Sequence, residues 1–191
     1  MENLGVLFFM LLSLSACSVY KDSKTQYQNE SLLPTAEAFI DTFYSFNSIA
    51  LEGALSQASS SIPSVVYYQG WAEGGNYKIV ARKPCVIQEL NVASCSVTVE
   101  DDPMLALGID FNVTDTFTIS FIDGVIVAVE TSSNDMQIYF DARDWVLTEL
   151  PELVAEACEG FFNGGSTPNE CARLMAEGYR RYAASEEFPE L

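Results

Sequence analysis

Asp115 is the residue whose type and position most suggest chemistry. It sits in FNVTDTFTISFIDG, residues 111–124, where Phe111, Val113, Phe117, Ile119 and Phe121 share one face of an alternating strand. Asn112, Thr114, Thr116, Thr118 and Ser120 share the other face, which leaves Asp115 as a carboxylate on the apolar side. An inward carboxylate in an apolar setting has a raised pKa and suits proton abstraction next to a carbonyl. Three readings are open. A β-bulge or bend near Asn112 would return Asp115 to the surface, and this is the default. Otherwise Asp115 is a polar anchor, or it is a catalytic acid/base.

A base of this kind works with a nearby electrophile, and a tyrosine hydroxyl can serve. Tyr44, Tyr67 and Tyr68 carry such hydroxyls, and Trp71 follows closely on the same segment as the last two. The chain has no histidine. That excludes Ser–His–Asp and Cys–His catalysis, His-ligated zinc and the usual neutral-pH proton shuttle. The carboxylates of Glu100, Asp101 and Asp102 precede Pro103 and read as a loop. Three adjacent carboxylates cannot surround a calcium ion, so no metal and no cofactor is expected.

The elements that must position these residues follow from periodicity. Ala36, Phe39, Ile40 and Phe43 predict a helix over 35–46, with a short helix over 48–57 and a third starting near Pro63 and ending at Gly74-Gly75. Residues 77–87 and 92–100 predict a hairpin, and 107–122 one long strand. Asp123-Gly124 is a tight-turn signal, returning the chain over 125–132. Helices follow over 135–148 and 151–158. Thr167-Pro-Asn-Glu170 predicts a capping box opening the last helix, whose stripe of Cys171, Leu174, Met175, Gly178, Tyr179 and Tyr182 is a packing face.

The whole chain has 191 residues, 49% of them hydrophobic, which suits one domain with a small extension. Its net charge is −18, from 27 acidic and 9 basic residues. Such a surface repels phosphate backbones, so nucleic acid is not an expected partner.

Residues 4–16, LGVLFFMLLSLSA, form an apolar run too short to span a bilayer but long enough for the core of a signal peptide. Leu14-Ser15-Ala16-Cys17 resembles the bacterial lipobox. The segment before it carries Glu2 and neither Lys nor Arg, a departure from the usual signal-peptide start. The resemblance implies cleavage after residue 16 and lipidation of Cys17, with residues 18–33 a polar tether. The expected location is the bacterial cell envelope, on the periplasmic face of the outer membrane, with the lipid anchor as the only membrane contact. An exported chain meets an oxidising compartment, so disulfides Cys158–Cys171 and Cys85–Cys95 are expected, with buried free thiols as the alternative.

The order of helices followed by an antiparallel sheet ending in DTFTISFIDGVIVAVET resembles the nuclear-transport-factor-2-like superfamily, and within it the SnoaL-like group. The helix AEAFIDTFYSF, the Asp115–Ile126 run and DWVLTELPE carry the resemblance, although Val125 stands where the family turn usually has Lys. The resemblance implies an α+β fold over residues 34–148: a cone-shaped curved antiparallel sheet packed on N-terminal helices, enclosing an apolar cavity. Residues 149–191 would add a disulfide-stapled helical hairpin. It also implies a site for a small apolar or aromatic ligand, which Tyr44, Tyr67, Tyr68 and Trp71 would line; the missing histidine favours binding there without turnover. The alternatives are an acid/base enzyme (isomerase, cyclase or dehydratase type) using Asp115, and a homodimeric assembly module. Fold alone does not choose among them.

Overall fold

A computed structural model describes residues 30–160 and 165–190. The expected signal peptide, Cys17 and most of the expected tether lie outside the described residues. Three helices come first: α1 (Leu33–Phe43), α2 (Ser48–Ala54) and α3 (Ile62–Gly74). Strands β1 (Lys78–Arg82), β2 (Val86–Glu89) and β3 (Val92–Glu100) follow, then a short helix α4 (Asp102–Ala106). The hairpin β4 (Val113–Ile122) and β5 (Val125–Ser133) leads to α5 (Gln137–Glu149), a single turn α6 (Pro151–Val154) and the final helix α7 (Pro168–Ala183).

The fold is α+β, with one five-stranded antiparallel sheet in the order β1-β3-β4-β5 and with β2 also pairing β3. The expected strand over 77–87 is two strands. Pro84 has no amide hydrogen to give the ladder, and the chain breaks around it. β1 pairs the Val97–Glu100 part of β3 and β2 pairs its start. Cys85 lies between them and forms a disulfide with Cys95, with Cα atoms 4.3 Å apart.

The expected long strand over 107–122 starts only at Val113. Ahead of it the sequence makes α4, because Asp101 Oδ1 accepts from the Met104 amide as an N-cap and Pro103 suits the first turn. The acidic loop is therefore a capped helix start. Gly108, at φ +71°, then turns the chain toward β4.

Asp123 and Gly124, at φ +50° and +80°, make the tight β4–β5 turn that the sequence signals. Two positive φ values in succession match the right-handed twist of the flanking strands.

At the C-terminal end, Pro168 opens α7, but the capping box does not form. Thr167 Oγ1 donates to Ala157 O at 2.9 Å, and so is engaged with the preceding segment. Cys158 and Cys171 form the second disulfide, with Cα atoms 4.8 Å apart. The predicted stripe of α7 is buried at Cys171, Met175, Gly178, Tyr179 and Tyr182 and half-buried at Leu174, and the helix packs on α3, α4 and α5. α3 and α7 approach closely at Gly74. A Cβ placed there would lie 2.0 Å from the Asn169 carbonyl oxygen. No helix among the described residues is long and apolar enough to cross a membrane.

Candidate functional site

Asp115 points inward. Its strand pairs without interruption from Val113 to Ser120 against β3, and Asp115 itself pairs with Val97 and, on the other side, Ser133. The first irregularity of β4 comes later, between Ser120 and Phe121. The expected bulge near Asn112 is therefore absent, and Asp115 is 0% exposed. Asp110 and Asn112 are exposed, as their polar-face positions predict.

A buried carboxylate needs hydrogen-bond donors, and two tyrosines supply them. The Tyr44 hydroxyl donates to Asp115 Oδ2 at 2.8 Å. The Tyr68 hydroxyl donates to Asp115 Oδ1. Phe43 and Phe117 pack around this trio, with their ring centroids 4.8 Å apart and those of Phe43 and Tyr68 5.4 Å apart.

Each tyrosine is placed by its helix. Tyr44 is the C-cap of α1, where the last carbonyls lack helical partners. The buried Gln69 side chain on α3 donates to two of them, Thr42 O at 3.2 Å and Phe43 O at 2.7 Å. That pins the end of α1, and hence Tyr44, to the helix that carries Tyr68. Ser61, at the start of α3, accepts from the Val129 amide at 3.0 Å and ties the other end to β5.

Burial pushes the Asp115 carboxyl up to about 6, against the two tyrosine hydrogen bonds that pull it down. Burial likewise raises the Tyr68 and Tyr44 hydroxyls well above their usual range, and the adjacent Asp115 charge adds to this. Asp101 is pushed up to about 7, first by burial, despite the Met104 amide, and further by Asp135 and Asp115. Its Oδ2 has no hydrogen-bond partner among the described residues.

A pocket of about 300 Å³ opens beside this buried cluster, within the size range of small-ligand sites. Tyr68, Trp71, Tyr77 and Tyr139 supply aromatic lining, Asp135 and Arg143 the charges, and Thr131 to Ser133 the end of β5. Tyr68 therefore belongs to both the pocket wall and the Asp115 cluster. Asp135 accepts from the Ser133 hydroxyl, and burial raises its pKa above the ordinary carboxylate range.

Of the residues singled out from the sequence, Asp115, Tyr44 and Tyr68 come together, and Trp71 joins Tyr68 at the pocket. Tyr44 serves Asp115 and is not part of the pocket lining. Tyr67 diverges from its neighbour because successive helical residues project about 100° apart. It lines a different pocket of about 470 Å³ with Phe46, Ile62 and Val66.

Tyr77, Asp135, Tyr139 and Arg143 were not singled out. A usable signal exists for two of them. Tyr139 and Arg143 are four residues apart, which places them on one side of α5, while Asp135 lies just ahead of the helix. Compared with known proteins, the chain matches no family model, no curated protein and no solved structure.

Proposed function

We propose that this chain is a lipid-anchored cell-envelope protein whose domain, of the nuclear-transport-factor-2-like and SnoaL-like kind, binds a small molecule beside Tyr68 without turnover. One observation carries the absence of turnover. Both oxygens of Asp115 already accept tyrosine hydroxyls, and the residue is 0% exposed. A general base must reach the proton it abstracts directly or through one water. Here Tyr68 stands between Asp115 and the pocket, so Asp115 is a polar anchor that sets the pocket wall. The aromatic lining and the pocket volume support a ligand with an apolar or aromatic body.

The superfamily reading rests on the order of helices before an antiparallel sheet and on the hairpin at Asp123-Gly124. The envelope reading rests on the apolar run ending in Leu14-Ser15-Ala16-Cys17. Two disulfides fit an oxidising compartment. Ligand screening by thermal shift and native mass spectrometry tests the binding role: ligands that raise the melting temperature are expected, and a complete absence of hits removes it. Metabolic labelling with a tagged fatty acid tests the anchor. Incorporation that disappears in Cys17→Ala is expected, and labelling independent of Cys17 contradicts it.

A second reading keeps Asp115 as an acid/base residue. Its favouring observation is the pKa of about 6 together with Tyr68, whose hydroxyl could relay a proton to the pocket. This reading requires that Asp115→Asn stay folded and lose turnover. Catalysis that survives the substitution excludes it.

A further inference from the structure

We infer that the pocket beside Tyr68 selects an organic ammonium ion, held by aromatic side chains and the Asp135 carboxylate. The inference rests on that pocket being a ligand site, and it names the charge of the ligand. Four aromatic residues, Tyr68, Trp71, Tyr77 and Tyr139, contribute to one pocket of about 300 Å³. Aromatic faces carry negative potential and attract cations, above all desolvated ammonium groups.

The surrounding charge points the same way. Asp135 lines the pocket. Asp115 lies directly behind Tyr68. Asp101 is near enough that its charge acts on both Tyr77 and Tyr139. Above about pH 7, where Asp115 and Asp101 are ionised, three carboxylates face one pocket cation, Arg143, whose Nε and Nη2 are already bonded to Asp144 Oδ1 at 2.9 and 2.7 Å. An anionic ligand meets net repulsion here. A neutral one leaves the field of the carboxylates uncompensated. A cation satisfies it, and the net charge of −18 raises its local concentration.

The ammonium group can belong to a simple cation or to a zwitterion whose carboxylate meets Arg143. Calorimetric titration of the full chain, in a non-ionic detergent, separates these. The probes are choline, glycine betaine, the neutral choline isostere 3,3-dimethylbutan-1-ol and the anion 3,3-dimethylbutanoate. We expect choline or betaine to bind at least about tenfold more tightly than the neutral isostere, with most of that margin lost in Asp135→Asn. Betaine ahead of choline, with the difference lost in Arg143→Gln, assigns a zwitterion. Choline ahead of betaine assigns a simple ammonium ion.

The inference is overturned if the neutral or anionic isostere binds as tightly as the ammonium probes. In that case the pocket remains a ligand site and only the ligand class is wrong. It is also overturned if no probe binds. The wider binding role then depends on whether the thermal-shift screen finds another ligand whose effect disappears when Thr131→Trp places a ring at the pocket, on the sheet face of Phe117.

Discussion

The Tyr44 hydroxyl donates to Asp115 Oδ2 at 2.8 Å, joining the end of α1 to the start of β4 across 71 residues of sequence. With Tyr68 on the other oxygen, one buried carboxylate holds two helices against the sheet. That makes Asp115 a structural pin as well as a determinant of the pocket wall.

Truncating the pin is therefore costly. Asp115→Ala leaves two buried hydroxyls without their acceptor and is expected to cost about 3 kcal/mol or more. Asp115→Asn keeps one carbonyl acceptor and costs less. In denaturant unfolding, Tyr44→Phe and Asp115→Asn should show a coupling of about 1 kcal/mol in a double-mutant cycle. Additive effects would mean that the two side chains do not interact.

The raised carboxyls make stability depend on pH in a defined direction. Asp115 and Asp101 stand at about 6 and about 7 in the folded protein, against about 4 in an unfolded chain. The folded state then binds protons more readily than the unfolded state. The resulting stabilisation is complete below about pH 4 and is lost as pH rises through 6 and 7. The melting temperature should be higher at pH 5 than at pH 8. Relief of charge repulsion acts in the same direction, so Asp115→Asn supplies the control: its profile should be flatter than the wild type. An unchanged slope contradicts the assignment.

Both disulfides are expected in the purified protein. Thiol titration after denaturation without reductant should find none of Cys85, Cys95, Cys158 and Cys171 free. Removing the Cys158–Cys171 bridge should cost about 3 kcal/mol through the loop it closes. A variant as stable as the wild type would argue against that bridge.

The contact between α3 and α7 has its own test. Gly74→Ala would bring Cβ to within 2.0 Å of the Asn169 carbonyl oxygen, where neither backbone can yield easily. Overpacking of this kind costs about 1–3 kcal/mol. A neutral Gly74→Ala would mean that α7 does not pack there.

The parts of this molecule that follow from local rules were legible in the sequence. The Asp123-Gly124 turn, the buried stripe of α7 and the facing cysteines depend on spacing and turn chemistry. So does the inward face of β4, where strict alternation was a better guide to Asp115 than the bulge it seemed to require. Two local signals override the expected strands: Pro84 splits the edge strand, and Asp101 with Pro103 opens α4. That Tyr44 and Tyr68, and not Tyr67, converge on Asp115 has no local signature. That choice depends on how α1 and α3 rotate against the sheet, which Gln69 fixes through backbone carbonyls that leave no trace in sequence. The contribution of α5 to the pocket likewise depends on where that helix folds back after β5.

The central claim is that the pocket beside Tyr68 is a ligand site. Its most direct test is a thermal-shift screen of small molecules on the wild type and on Thr131→Trp, which places a bulky ring at an exposed pocket-lining position on the same sheet face as Phe117. At least one compound should raise the melting temperature of the wild type and lose its effect on a folded Thr131→Trp. Equal shifts in both proteins, or none in the wild type, would contradict the claim.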